Sequence, residues 1–186
     1  MIVSSNSSRA SDYYELAKDG LVFTALASKT ALVAFGTTTA IGGPLLWNNT
    51  GNAAGGGPRV MAVLLGMMVG WTTAPAAEGV VGIAVGNGQT SAPSSTSAIT
   101  GVANNRADLV AAPQCNVYTL GTVANAAVSL YPTHSVGTTS NDNCPIFVPL
   151  DGIIQVPPGC WASPAGAAAI STIVAKIGLV WAEIPY

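Results

Sequence analysis

The sequence predicts an all-β domain, a sandwich or barrel, preceded by a short N-terminal arm. Three observations carry the prediction. In the closing segment Ile173, Ala175, Ile177, Leu179 and Trp181 fall on one face and Val174, Lys176, Gly178 and Val180 on the other, the period of a strand with one buried side. Short apolar runs recur between clusters of residues that favour turns. Charged residues make up 8% of the 186-residue chain and hydrophobic ones 49%, a balance that suits a packed core and a surface largely covered by contacts.

Residues 1–19 form the arm, which concentrates Arg9, Asp12, Glu15, Lys18 and Asp19. Asp12 is expected to cap a short helix with Glu15 at its third position, and Gly20 to stop it. Tyr13, Tyr14 and Leu16 then share about two turns with an apolar edge. So short a helix is marginal alone, so it packs on its own domain or docks on a neighbour. These three are the candidate contact residues, because aromatic anchors dominate interface energetics.

Residues 20–186 form the β-domain. Its predicted strands are Leu21–Ala27, Ala31–Phe35, Leu45–Trp47, Arg59–Trp71, Val80–Val85, Asn116–Leu120, Ala126–Tyr131, Ile146–Leu150, Ile153–Val156 and Ile170–Ile184. Gly-Gly-Pro, Asn-Asn-Thr-Gly-Asn, Gly-Gly-Gly-Pro, Gly-Asn-Gly and Pro-Pro-Gly separate them, each supplying a positive φ or a fixed turn. Many of these runs are rich in Ala and Gly, weak strand formers. The stretch through Leu64-Leu65-Gly66-Met67-Met68 also fits a helix, although its flanking turns favour a strand. Ser91–Ser97 and Thr138–Asn143 read as exposed loops.

Several function classes lack their residues. The net charge is −2, and Arg9, Lys18, Lys29, Arg59, Arg106 and Lys176 are dispersed, so no basic stripe tracks nucleic acid phosphates. The apolar run Val60–Gly70 is about half a membrane span, and the start of the chain lacks the basic-then-apolar order of a secretory signal. Cys115, Cys144 and Cys160 are expected as reduced, partly buried thiols; with His134 they have none of the short spacings of a structural zinc site. No nucleophile elbow, phosphate loop or zinc-protease helix occurs, so no enzyme and no cofactor is expected. Asp142 or Asp151 could pair with Glu183 as two carboxyls for glycoside hydrolysis, but Glu183 is better read as a strand-end cap or a subunit contact. His134 reads as a surface-loop residue, and the sequons at Asn6 and Asn48 as chance patterns.

Four segments in order, Gly20-Leu-Val-Phe-Thr-Ala, Gly42-Gly-Pro-Leu-Leu-Trp-Asn, Val156-Pro-Pro-Gly-Cys-Trp and Trp181-Ala-Glu-Ile-Pro, resemble small virion proteins of tailed bacteriophages. The resemblance runs from about Tyr13 to Pro185. It implies a jelly-roll sandwich that forms a homotrimer and sits on the outer capsid surface as a decoration, or cement, protein bound to the major capsid protein. It carries over no catalytic residues. The alternative is a receptor-binding or fibre-tip module of the virion, with Trp71, Asn87 and Ser91–Thr96 or the Tyr131–Asn143 loops facing a sugar. The isolated protein is expected to be a trimer in light scattering at micromolar concentration, and a monomer would contradict this. Deleting residues 1–19 is expected to spare the trimer and weaken attachment.

Overall fold

Turn chemistry and alternation resolve into one helix and thirteen strands among the residues that the computed structural model describes, which are 5–29, 31–36, 39–51, 58–73, 75, 77–99, 102–109, 111–138, 146–170 and 173–185, with the side chains of 5–11, 72 and 98 outside that description. In chain order they are α1 (Ser5–Lys18), β1 (Val22–Lys29), β2 (Ala40–Ile41), β3 (Leu45–Trp47), β4 (Val60–Thr73), β5 (Gly79–Gly86), β6 (Ser94–Ala98), β7 (Val102–Asn104), β8 (Asn116–Thr122), β9 (Ser129–Val136), β10 (Ile146–Pro149), β11 (Gln155–Val156), β12 (Trp161–Gly166) and β13 (Val174–Pro185).

These strands form two antiparallel sheets. The first runs β10-β4-β13-β1-β7, with β11 also on β4; the second runs β2-β8-β3-β12-β5-β9, with β6 on β8. The pairings nest. β1 pairs β13, β3 pairs β12, β4 pairs β10 and β11, and β5 pairs β9, so outer strands close over inner ones while the chain alternates between sheets. That winding is a jelly roll. Strands β6, β7 and β8 all lie in the connection from β5 to β9, and they widen both sheets on one side, β7 beside β1 and β8 beside β3.

The expected strands at Leu45–Trp47, Arg59–Trp71, Val80–Val85 and Ile170–Ile184 correspond to β3, β4, β5 and β13. Others need correction. Ala31–Phe35 makes only isolated bridges, Leu32 with Ile170 and Ala34 with Gly166, because it crosses the sandwich instead of joining a sheet. Part of the presumed loop Ser91–Ser97 is β6, whose exposed Ser-Ser-Thr-Ser face shows no hydrophobic alternation. β12 was hidden because Trp-Ala-Ser-Pro-Ala-Gly is buried on both faces and so lacks a period of two. Its Pro164 pairs only with Ile83 of β5, since β3 has already ended opposite Ala162. Asp12 lies inside α1, which begins at Ser5, eight residues earlier than a cap at Asp12 requires.

The core lies between the sheets. Phe23, Met67, Val69, Trp71, Ile177, Leu179 and Trp181 from the first sheet meet Leu46, Val81, Ile83, Val117 and Ala162 from the second. A register shift in the β4–β13 ladder pairs Val180 with Gly66 and Trp181 with Leu64, which leaves Leu65 as a bulge. The bulge reverses the parity of β4. Met67, Val69 and Trp71 point inward on one side of it and Val60, Ala62 and Leu64 on the other, so β4 reads as an unbroken apolar run. Leu65 itself turns outward. A second small cluster, with Leu45, Trp47, Ala84 and Trp161, covers part of the other sheet's outer face. There the Trp161 ring lies across Gly86, directly opposite in the ladder, where any Cβ would collide with the indole.

Buried polar groups hold the turns. Asn48 is fully buried; its Nδ2 donates to the carbonyls of Val60 (2.7 Å) and Val156 (2.8 Å), and its Oδ1 accepts from Thr50 Oγ1 (2.7 Å). Its own backbone exchanges hydrogen bonds with Gly159 and Cys160. Gln89, also buried, accepts from Ala124 N at 2.6 Å and donates to the Ser91 carbonyl at 2.6 Å, while its carbonyl accepts from Trp47 Nε1 at 3.1 Å. The sequon at Asn48 is therefore closed to any glycan in the folded chain. Asn48→Ala strands two buried carbonyls and is expected to lower stability by about 2–3 kcal/mol, measured as a shift in the urea midpoint at unchanged slope.

Candidate functional site: the outer face of the first sheet

α1 lies on the outward side of the first sheet because the bulge puts an apolar seat there. Val22, Leu65 and Ala182 form that seat, and Tyr13, Leu16 and Ala17 pack on it with Val63 and Val180. The helix is tied down at both ends of this contact. At its C-terminus, Arg106 donates to the Lys18 carbonyl and Asn104 Nδ2 to the Gly20 carbonyl (2.7 Å), which satisfies backbone acceptors beyond the last turn. Arg106 also makes a two-pronged contact with Asp108 (2.7 and 2.9 Å), and that hydrogen bond holds the Asp108 carboxyl below its usual range. Toward its other end, Tyr13 Oη donates to Asp151 Oδ1 at 3.0 Å.

The three arm residues thus part company. Tyr13 and Leu16 are half-buried against their own domain, while Tyr14 is 65% exposed. Tyr14 flanks a shallow surface with Ala17, Lys18, Asn105 and Arg106. Removing residues 1–19 would uncover Val22, Leu65 and Ala182, so substitution of Tyr14 separates contact from folding more cleanly than deletion does.

Beside α1 the same sheet face stays open. Leu26, Met68, Val69, Gly70, Ile146, Phe147 and Lys176 line a depression of about 320 Å³. Leu26 is 45% exposed, Phe147 55% and the neighbouring Val174 47%. The Lys176 ammonium donates to Ser28 Oγ. This exposed apolar surface was not singled out from sequence; the signal was the outward set of β13, which reads Val-Lys-Gly-Val instead of a polar row.

The residues considered for chemistry do not come together. His134 lies in β9, half-buried, with its ring 5.7 Å from that of Trp71, and so is not a loop residue. Cys115 and Cys160 are free thiols, and burial pushes both upward in pKa; for Cys115 the Glu183 carboxylate adds to the effect, so its reactive thiolate is suppressed. Cys144 and Asp142 lie outside the described residues. Among the described residues no group of three His, Cys, Asp or Glu could hold a metal. Among the described residues no helix is long and apolar enough to cross a membrane. Trp47, Trp71, Trp161 and Trp181 are all at most 2% exposed, which removes Trp71 as a sugar-facing platform.

Glu183 has a different role from the two expected. It sits on the inward side of β13, 3% exposed, with Oε1 accepting from Cys115 N (2.9 Å) and Trp181 Nε1 (3.1 Å) and Oε2 from Gln114 N (2.6 Å). It fastens the start of β8 to the last strand. Asp151 is exposed on a turn and engaged by Tyr13, so the two carboxylates serve separate contacts. Glu183→Gln replaces one acceptor oxygen by a donor facing an N–H, and is expected to cost about 1.5–3 kcal/mol. Hydrogen exchange at Gln114 and Cys115 should rise first.

The chain matches no protein-family model and no curated protein. Among solved structures, an unassembled KI polyomavirus VP1 pentamer aligns with 89% of this chain and 69% of its own at 12% identity, with a TM-score of 0.11, a value that carries no argument about either fold or assembly.

Proposed function

We propose that the chain is a structural subunit of a virion, a homotrimeric decoration protein that binds the major capsid protein on the outside of a phage head and stabilises the shell. The observation that carries this reading is the division of the first sheet's outer face between a tethered helix with an exposed tyrosine and an open apolar surface. A protein that works by contact needs such surfaces, rigidly presented and low in charge. The resemblance of the four segments beginning at Gly20, Gly42, Val156 and Trp181 to small virion proteins supports the same reading. So does the use of Asn48, Gln89 and Glu183, which are buried and occupied with holding backbone.

Repetition turns weak contacts into firm attachment. In a trimer, one docked helix holds the other two near their sites, and modest affinity per arm is multiplied by effective concentration. Of Tyr13, Tyr14 and Leu16, Tyr14 is the one exposed to touch a shell, and its loss leaves the seat of α1 intact. Tyr14→Ser is expected to leave the thermal midpoint nearly unchanged and to weaken binding to undecorated heads by about tenfold or more, read by co-sedimentation. Unchanged binding would remove Tyr14 as an anchor. Reconstruction of the intact particle by electron cryo-microscopy tests the station itself, with threefold knobs on the head expected and density confined to the tail overturning it.

A further inference from the structure

The open half of the first sheet's outer face has the anatomy of a subunit contact. Its centre is apolar and contributed by four strands: Leu26 from β1, Met68 and Gly70 from β4, Val174 from β13 and Phe147 from β10. Thr24 and Thr73 lie at its borders, while Ser28 and Lys176 stand side by side on β1 and β13, between the Gly178 row and Val174. The one charge lining the depression is Lys176, whose ammonium is already bonded to Ser28. Apolar centre, polar rim and depleted charge are the compositional marks of a buried interface.

The floor of this face is built for close approach. Outward positions on β4 and β13 are glycine at 66, 70 and 178, so the backbone is covered only by neighbouring side chains. Phe147 leans over Gly66, and Leu26 and Met68 converge on Gly178, where a Cβ would meet both side chains. The three large side chains stand around a low centre. These side chains fill the space over Gly66 and Gly178, so a partner surface reaches the sheet only at Gly70, in the depression beside them.

We infer that this face is where a second copy of the chain packs. It deepens the subunit reading given above and shares its premise that the chain works as an oligomer. The choice of occupant follows from three features. The face spans roughly 15 Å across four strands, and a standard contact of about 800 Å² per partner would take in its borders as well. Among the described residues no acidic side chain lines the depression to select a basic partner, and at 8% charged residues the chain has little self-repulsion to keep copies apart. The free edges of this sheet are poor sites for strand addition, because β10 ends in Pro149 and β7 is only 3 residues long. Association through faces is what remains, and a second copy is the partner present at equal concentration wherever the chain folds.

The test uses the full chain in sedimentation equilibrium at micromolar concentration. Wild type is expected as an oligomer. Leu26→Asp and Phe147→Asp are each expected to reduce it to the single-chain mass or to weaken association at least about tenfold, with unchanged far-ultraviolet circular dichroism. Leu26 does not cover Gly66, so it keeps the test decisive if Phe147→Asp loosens the sheet. Ile153→Asp, 76% exposed on the turn before β11, serves as the control and should sediment as wild type. A single-chain wild type, or an oligomer indifferent to both substitutions, overturns the inference. Head binding is read separately. An oligomer that depends on Leu26 and Phe147 but binds no heads removes the decoration reading and leaves this interface in place, whereas an indifferent oligomer that binds heads does the reverse.

Discussion

The antiparallel ladder between β4 and β13 organises everything else in the molecule. It joins the strand that enters the first sheet early to the one that closes the chain, and every other strand of that sheet pairs with one of these two or, for β7, with β1. One irregularity in that ladder does two jobs. By pushing Leu65 outward it keeps Leu64 and Met67 both facing the core, and it creates the apolar seat on which α1 lies. Without the bulge one half of β4 would turn its apolar side chains to solvent. The helix would lose its anchorage at the same time.

Closure of the sandwich depends on a second kind of constraint, the complete use of a few buried polar groups. Asn48 links the turn after β3 to the start of β4 and the end of β11, Gln89 links the exit of β5 to the turn before β9, and Glu183 links β13 to β8. Each joins segments far apart in sequence. A buried amide or carboxylate left without partners is costly, so these groups are satisfied in the jelly-roll winding and penalised in alternatives. They specify the fold more than they add to its stability.

The proposed contact function rests on how the outer faces are shared. The helix covers one half of the first sheet, a small cluster covers part of the second, and the open half carries Leu26, Phe147 and Val174. Tyr14 projects from the helix on the side lined by Asn105 and Arg106, away from that open surface. Two distinct surfaces are thereby available, as the proposed binding to sister subunits and to a shell would need. The low charge of the chain allows both contacts without burying unpaired ions.

The all-β class, the closing strand and most of the turns are legible in the amino acids alone. Those features are local: alternation from Ile173 to Trp181 needs no knowledge of the partner strand, and Gly and Pro impose their dihedrals wherever they stand. The sequence also located β3, β4 and β5 closely. The pairing of the strands, the parity change at Leu65, the existence of β12 and the role of Glu183 emerge only when distant segments meet in the fold. β12 is buried on both faces, so its residues carry no period, and Ala, Ser, Pro and Gly give no propensity to replace it. Glu183 reads as an ordinary strand-end acid until β8 arrives from nearly seventy residues away to place Gln114 N and Cys115 N against it. The candidate site was half legible: Tyr13, Tyr14 and Leu16 stand out as an apolar edge, but which of them stays exposed depends on the seat that the bulge provides. The open apolar face needed four strands brought side by side, and no segment of sequence contains it.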